Sequence, residues 1–230
     1  MSVEISRDYV QTSEAEAVTR SLSDAWKDPS IPAQQLKLTD FEIARWLKGE
    51  SVAPFDALRD VLLTMPRQGT LLEIGCGVGH NADVVAAVSP DITYTGVDYS
   101  DGFIVAARAR RPALRFEVMD ALMLDYPDRA FDIVLSGCCL LHIVNWRMAL
   151  KAAARVAKRH LILHRTPIAK ETQYFFKKAY GVECVEIHFS EQEIVGETCD
   201  GHGFSPVRSI PLNGYQQTYL FERTLFHHPV

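Results

Sequence analysis

From residue 68 onwards, short apolar runs alternate with segments in which apolar residues recur at helical spacing. Five runs have the length and composition of buried strands: TLLEIG, DITYTGVD, LRFEVMD, FDIVLSG and HLILHR. The segments NADVVAAVSP and GFIVAARARR between them reach Pro90 and Pro112, which stop helices, and a third helical pattern includes Leu150 and Ala153. Apolar strands separated by amphipathic helices predict a doubly wound α/β fold, with a parallel sheet covered on both faces.

The C-terminal third of the chain departs from this alternation. SPVRSIPL and YQQTYLFERT are strand-like, and Asn213-Gly214 between them is a strong hairpin signal. Ser190 and Glu193 have the spacing of a capping box, and Gly203 is placed to end the helix that they would open. The sequence therefore predicts that the sheet finishes with an antiparallel pair.

Residues 1–66 show helical patterns and no strand pattern. DFEIARWL is followed by PFDALRDVLL, whose Pro54 suits the first turn of a helix. We interpret residues 1–66 as a helical cap or lid segment and residues 67–230 as the main domain. Trp26 and Trp46 in the cap are candidates to cover a cleft in the sheet.

Composition and charge exclude several classes of function. A chain of 230 residues with a net charge of −5 and no basic stripe disfavours nucleic acid and anionic membranes as partners. The N-terminus lacks the apolar stretch of a signal peptide, and no apolar run has the length of a spanning helix. The cysteines have neither C-x-x-C pairing nor metal-ligand spacing, so we expect no metal and a cytoplasmic location; they are Cys76, Cys138, Cys139, Cys184 and Cys199.

The glycine-rich segment LLEIGCGVGH directly follows the first predicted strand. A Walker loop would need a lysine after its last glycine, and none is present. In a dinucleotide loop counted from Gly75 and Gly77, the third small residue would fall on His80, and the third glycine, Gly79, comes one residue early. The carboxylate of Glu73 would repel a pyrophosphate and attract an ammonium group. The loop therefore favours a ligand with a cationic head.

Two further carboxylates close the next strands. Asp98 lies 23 residues after Gly75, near the spacing at which a carboxylate accepts both ribose hydroxyls. Asp120 closes the third strand, where it could accept the exocyclic amine of adenine. Either aspartate could instead cap a turn, but three acids at neighbouring strand tips make that alternative the weaker one. An amine, a ribose and an adenine held in this order describe S-adenosylmethionine.

Four segments in this order, EIGCGVGH, TGVDYS, FEVMDALML and FDIVLSGCCLLHI, resemble the successive motifs of class I S-adenosylmethionine-dependent methyltransferases. The resemblance covers residues 68–225 and is nearest to the small-molecule branch that includes quinone-biosynthesis enzymes. It implies a Rossmann-like, seven-stranded, mostly parallel sheet with an antiparallel last strand, and S-adenosyl-L-methionine as a cofactor converted to S-adenosyl-L-homocysteine. The cofactor-binding residues that it implies are Glu73, Gly75, Cys76, Gly77, Gly79, Asp98, Tyr99, Asp120, Ala121, Gly137 and Cys138.

Candidates for the acceptor side carry a weaker signal. His142 and His164 are the candidate catalytic bases, although His142 also fits a packing role at the edge of the cofactor. Arg165 ends the fifth strand and suits a substrate carboxylate or phosphate, or else a solvated strand end. Tyr174 and Phe175 belong to an aromatic cluster that fits either a substrate wall or ordinary core.

The predicted function is methyl transfer to a small molecule by in-line displacement, with oxygen favoured over nitrogen as the accepting atom. The acceptor would be anionic if Arg165 contacts it. Two alternatives stay open: a non-catalytic S-adenosylmethionine-binding subunit, and a nicotinamide-dependent oxidoreductase, which His80 at the third-glycine position disfavours. The sequence is compatible with a monomer or a homodimer.

Overall fold

The computed structural model describes residues 9–20 and 22–224 of the chain. Its strands are β1 (Val10–Thr12), β2 (Gln68–Ile74), β3 (Asp91–Asp98), β4 (Arg115–Val118), β5 (Phe131–Gly137), β6 (Ala157–Ala169), β7 (Gln173–Ala179), β8 (Val182–Ser190), β9 (Phe204–Pro211) and β10 (Gln216–Arg223). Its α-helices are α1 (Glu14–Arg20), α2 (Ile31–Leu47), α3 (Ala53–Leu62), α4 (Asn81–Val88), α5 (Asp101–Arg110), α6 (Trp146–Val156) and α7 (Glu191–Cys199). Two 3-10 turns, Leu22–Lys27 and Leu140–His142, complete the regular structure of the described residues.

The five apolar runs form the parallel centre of the sheet. They correspond to β2–β6 and lie in the order β4-β3-β2-β5-β6. β10 adds antiparallel to β6, and β9 adds antiparallel to β10. The doubly wound α/β prediction and the antiparallel ending are therefore confirmed, and these seven strands match the number that the resemblance implies.

Adjacent residues of β2 show how both faces are covered. Leu71 belongs to the hydrophobic cluster formed with α3, α4 and α5, whereas Leu72 belongs to the cluster formed with α6 and α7. Each of these two leucines is fully buried, as expected for a parallel strand between two helical layers. α3 contributes Leu58 and Val61 to the first cluster, so it packs directly on the sheet. The domain boundary at residues 66 and 67 stays a prediction, and residues 1–8 and 225–230 lie outside the described residues.

Three strands extend the sheet beyond the predicted seven. β7 and β8 form an antiparallel hairpin, β8 pairs with the end of β6, and β1 pairs with β7 with Val10 opposite Phe176. The prediction that residues 1–66 contain no strand is wrong at β1, because a strand of three residues leaves too short a pattern to recognise. The hairpin turn is Tyr180-Gly181, where both residues have positive φ as a two-residue turn requires.

The capping box at Ser190 is also corrected. Ser190 precedes α7 as its N-cap residue, but its side chain makes no capping hydrogen bond. The backbone N–H of Ser190 donates instead to Oγ1 of Thr172 at 2.9 Å, and the Glu193 carboxylate binds Arg147 and Thr172. Thr172, in the connection between β6 and β7, therefore accepts the Ser190 N–H, which a capping box would have paired with the Glu193 side chain.

Within the described residues, the structure contains no helix with the length and apolarity needed to cross a membrane.

Candidate functional site

A cleft with a volume of about 700 Å³ opens at the carboxyl ends of the central strands. Its floor lies between β2 and β5, where the strand order changes direction, which is where doubly wound sheets bind their ligands. The volume falls within the range of small-molecule sites. Ten predicted site residues line it: Gly75, Gly77, Asp98, Tyr99, Asp120, Ala121, Gly137, Cys138, His142 and Arg165.

The glycine loop after β2 forms one wall of the cleft. Gly75 and Gly77 have φ of +64° and +52°, conformations that residues with a Cβ seldom adopt. A Cβ on Gly75 would overlap the side chain of Cys139, and one on Gly77 would lie 2.5 Å from Oε1 of Gln35. Glycine is therefore required at these two positions partly because side chains from the loop after β5 and from α2 occupy the space that a Cβ would need.

Two other residues of this loop, Cys76 and Gly79, do not line the cleft, and their predicted role in cofactor binding stays a prediction. The thiol of Cys76 is fully buried in the cluster with α3, and its backbone N–H donates to the carbonyl oxygen of Val97 at 3.0 Å. A Cβ on Gly79 would lie 2.9 Å from the ring of Phe116. Both positions secure the packing of the loop against β3 and β4.

Asp98 joins the end of β3 to the glycine loop. Its Oδ2 accepts a hydrogen bond from the Gly77 backbone N–H, and its Oδ1 accepts one from the Ser100 N–H, each at 3.0 Å. Burial raises the pKa of this carboxyl to about 6, although the hydrogen bonds from the backbone N–H groups act in the opposite direction and lower it. Each oxygen retains a second lone pair, so Asp98 can still accept hydrogen bonds from a ligand in the cleft. Tyr99 beside it accepts the backbone N–H of Trp26 at 3.2 Å.

Asp120 and Ala121 line the part of the cleft beyond β4. Asp120 is exposed, and its Oδ1 accepts the backbone N–H of Leu122 at 2.8 Å, which fixes the turn. Ala121 is buried beside it, with Met119 also in the lining. A carboxylate next to an apolar surface is suited to a flat base with an exocyclic amine.

Glu73 lies behind the cleft, which corrects its predicted contact with an ammonium group. The side chain is fully buried, Tyr94 donates its hydroxyl to Oε2 at 2.5 Å, and Asn81 donates Nδ2 to Oε1 at 2.7 Å. Burial raises the pKa of Glu73 to about 8. A Cβ on Gly137 would overlap this carboxyl group, so Glu73 supports the floor from below.

His142 faces the cleft from the 3-10 turn after β5. Its Nδ1 lies 2.7 Å from the carbonyl oxygen of Val185, and its ring centroid lies 4.5 Å from that of Trp26. Because a carbonyl only accepts, Nδ1 carries the proton, and Nε2 holds the lone pair in the neutral ring. Burial lowers the pKa of His142 to about 4, so the ring is neutral at pH 7. Geometry and charge state therefore leave it able to accept a proton.

His164 does not line the cleft, which corrects the second predicted base. It is 2% exposed, its Nδ1 lies 2.9 Å from Oγ1 of Thr218 on β10, and burial holds its pKa well below the ordinary value. The next residue, Arg165, has φ of +57° and turns its side chain into the lining. The alternation of a strand thus buries His164 and presents Arg165.

The predicted aromatic wall is displaced along the chain. Tyr174 is buried in the core cluster with α6, and Phe175 packs on the rings of Tyr9 and His188. Neither lines the cleft, so their assignment to substrate is corrected. Tyr180, in the turn of the β7–β8 hairpin, does line it. Because the β7–β8 hairpin was not predicted, the pattern of residues did not distinguish which aromatic side chain of the cluster reaches the cleft.

The cleft residues that were not predicted as ligand contacts include Gln35 and His80, while Trp26, predicted for the lid, also lines the cleft. Gln35 lies in α2, and its Oε1 accepts the backbone N–H of Val78 at 3.2 Å, so the N-terminal segment contacts the glycine loop directly. No local motif marks this contact, because it depends on where α2 docks. Trp46, by contrast, packs on Phe55 and donates to Asp56, outside the cleft lining.

Comparison with known proteins agrees with this geometry. Residues 72–163 match the family model described as a methyltransferase domain. The chain is 34% identical over 93 residues to ajmaline N-methyltransferase of Rauvolfia serpentina, covering 38% of this chain and 32% of that protein. It is 29% identical over 121 residues to trans-aconitate 2-methyltransferase of Methylobacterium nodulans, covering 51% and 46%. The chain thus spans a third to a half of the length of these curated relatives.

A solved structure extends the likeness over almost the whole chain. It is the 1,6-didemethyltoxoflavin-N1-methyltransferase of Burkholderia thailandensis with bound 1,6-didemethyltoxoflavin and S-adenosylhomocysteine. The TM-score is 0.65 at 15% identity, with 97% of this chain and 98% of that chain covered. At this identity the likeness concerns the fold. The domain match over residues 72–163 and the strand order therefore agree that this chain has the fold of a methyltransferase domain, with a cleft at the carboxyl ends of its central strands.

Proposed function

We propose that this chain transfers the methyl group of S-adenosylmethionine to a small molecule bound in the cleft. The observation that carries the proposal is the position of Asp98, which faces the cleft at the end of β3 while its oxygens also order the glycine loop. The known relatives named above support the small-molecule class, since ajmaline and trans-aconitate appear in their names.

The residues present fit this cofactor. Asp98 offers acceptors for the ribose hydroxyls, and Asp120 with the backbone of Ala121 lies where adenine would bind. The backbone of Gly75 and Gly77 passes beside the same cleft and excludes side chains from it. Two carboxylates, Asp98 and Asp120, line this side of the cleft beside one lysine, Lys27, whose Nζ lies 5.1 Å from the centroid of the Tyr99 ring. The carboxylates disfavour an anionic pyrophosphate.

The bound cofactor would supply a methyl group already activated on a sulfonium sulfur. The chain then has to align the acceptor and exclude water, which in favourable cases lowers a barrier by about 7–11 kcal/mol. Gly137 and Cys138 border the region between cofactor and acceptor, and Trp26 and Tyr180 close it. We propose His142 as the base for an acceptor that must lose a proton, through its Nε2 lone pair. We keep oxygen ahead of nitrogen as the accepting atom.

Two measurements test the proposal. Calorimetric titration with S-adenosylmethionine should show one tight site, and titration with NAD(P) should show none. The second measurement is release of S-adenosylhomocysteine in a screen of small acceptors. Tight cofactor binding without turnover on any acceptor would favour the alternative of a non-catalytic binding subunit. Preferential binding of NAD(P) would reject the proposal.

Location and assembly are also proposals. The described cysteines are all free thiols, which supports a reducing compartment and, we propose, the cytoplasm. A monomer or a homodimer fits the chain.

A further inference from the structure

The acceptor end of the cleft carries positive charge, whereas the cofactor end carries negative charge. Arg165, Lys177 and Lys178 line the cleft near the β7–β8 hairpin, while Asp98 and Asp120 line it near β3 and β4. The side chain of Lys178 is exposed to solvent, whereas Arg165 is not. Lys177 is already neutralised, because its Nζ forms an ion pair with the buried Glu186 carboxylate. Within residues 9–20 and 22–224, Arg165 has no such ion pair, so its charge remains uncompensated by direct contact.

Two nitrogen atoms at this end of the cleft are buried without a hydrogen-bond partner among the described residues. They are Nε of Arg165 and Nδ1 of His80, and both side chains line the cleft. Burial, together with the charge of Arg165, lowers the pKa of His80 to about 3, so its ring is neutral at pH 7. Buried polar groups in proteins are nearly always paired, so a cluster of unpaired ones indicates a missing partner.

The backbone at this end of the cleft is also held in an uncommon conformation. Among the described residues, four other than glycine have positive φ, and three of them line the cleft: Cys138, Arg165 and Tyr180. Cys138 and Arg165 are neighbours, since the Cys138 N–H donates to the carbonyl oxygen of His164 at 3.1 Å. The φ of Tyr180 follows from the hairpin turn, but Cys138 and Arg165 lie outside that turn, and such conformations persist where surrounding structure enforces them, often at ligand sites.

We propose that the methyl acceptor carries a carboxylate, bound by the guanidinium of Arg165 with the imidazole of His80 beside it. A planar carboxylate matches the donor fork of arginine and satisfies the unpaired Nε. It lies next to Cys138, at the border of cofactor and acceptor, and so orients the rest of the molecule towards the methyl group. This inference rests on the proposed methyltransferase function.

The test measures binding to protein saturated with S-adenosylhomocysteine. The probes are benzoate, indole-3-acetate and trans-aconitate, each compared with its own methyl ester by calorimetry. We expect at least one acid to bind wild-type protein ten times more tightly than its ester. Arg165→Met should abolish this preference, and Arg165→Lys should retain part of it. Arg67→Met is the matched control, because Arg67 is exposed just before β2, at the opposite edge of the sheet, and should leave the preference unchanged.

Several outcomes would overturn the inference. One is the absence of any preference for an acid over its ester in the wild-type protein. Another is a preference that survives in Arg165→Met while that variant melts at the wild-type temperature. Tighter binding of inorganic phosphate than of every acid would reject the carboxylate. A tenfold loss of S-adenosylhomocysteine affinity in Arg165→Met would assign the guanidinium to the cofactor instead. If wild-type protein fails to bind S-adenosylhomocysteine, the proposed function itself is wrong, which separates the two failures.

Discussion

The carboxylate of Asp98 both lines the cleft and holds the loops around it. Its two oxygens accept the N–H groups of Gly77 and Ser100, so the same side chain that lines the cleft also fixes two loops. Asp120 has one backbone partner, the N–H of Leu122, and it is exposed. The two aspartates should therefore respond differently to removal of their charge.

Asp98→Asn should weaken binding of S-adenosylhomocysteine by tenfold or more, which is about 1.4 kcal/mol or above. The amide replaces one acceptor oxygen with a donor, so it loses either a loop contact or a ribose contact. Asp120→Asn should have a smaller effect, because water competes for its exposed carboxylate. Calorimetry measures both, with Asp125→Asn as the control at an exposed position outside the cleft. Equal affinities for wild type and Asp98→Asn would contradict the role of Asp98.

Gly75→Ala tests the close approach of the loop to Cys139. The added Cβ meets the Cys139 side chain and also has to adopt φ near +64°, so the melting temperature and cofactor affinity should both fall. We expect a loss of stability on the order of 2–4 kcal/mol from strain and overlap combined. Gly181→Ala is the matched control, with φ of +83° but open space around it, and it should cost only the strain. Equal losses in the two variants would show that overlap with Cys139 is unimportant.

At the scale of elements, the N-terminal segment contributes to the cleft through two contacts. The 3-10 turn Leu22–Lys27 places the Trp26 ring on His142, and α2 places Gln35 on the glycine loop. Trp26 also donates its backbone N–H to Tyr99. These contacts support the lid interpretation of the segment, which stays a prediction.

Trp26→Ala should weaken S-adenosylhomocysteine binding about fivefold and slow turnover, because the cleft then admits water beside His142 and Tyr99. Trp46→Ala should lower the melting temperature through lost packing on Phe55 without changing cofactor affinity, since Trp46 lies outside the cleft lining. Calorimetry and thermal unfolding of the two variants separate these effects. An unchanged affinity in Trp26→Ala would argue against a lid.

The elements also show where pattern analysis works. β2 and β5 are uninterrupted apolar runs because both their faces are buried, so composition alone identifies them. β7 was not predicted because only one of its faces is buried, and β8 was not predicted because Glu183, Glu186 and His188 interrupt its apolar residues. Their turn, Tyr180-Gly181, is also a weaker signal than the Asn213-Gly214 turn. Asp98 and Asp120 could be placed at the cleft because they end recognisable strands, whereas the position of Gln35 depends on the docking of a distant helix.

At the scale of the whole molecule, buried ionisable groups predict how stability changes with pH. Burial raises the pKa of Glu73 to about 8 and that of Asp98 to about 6, so these two carboxyl groups hold their protons more tightly in the folded state than in the unfolded state. The free energy of unfolding therefore decreases as the pH rises towards 8. Burial lowers the pKa of His80 to about 3 and of His142 to about 4, so stability is lost as pH falls below about 6.5.

The free energy of unfolding should consequently be greatest between about pH 6 and pH 7. Thermal unfolding from pH 5 to pH 8.5 measures this profile. Glu73→Gln has no titrating group at that position, so its melting temperature should no longer decline between pH 7 and pH 8.5, whatever its absolute stability. A wild-type melting temperature that rises steadily to pH 8.5 would contradict the assignment of a protonated Glu73.

The strand β1 has a consequence for the order in which the molecule is made. Val10 pairs with Phe176, and the Tyr9 hydroxyl donates to Glu186 at 2.9 Å, across 177 positions of sequence. On the ribosome, these first described residues emerge long before their partners are synthesised. Contacts so distant in sequence form slowly and late. The parallel centre can therefore assemble during translation, but the wall beside the acceptor is complete only near the end of synthesis.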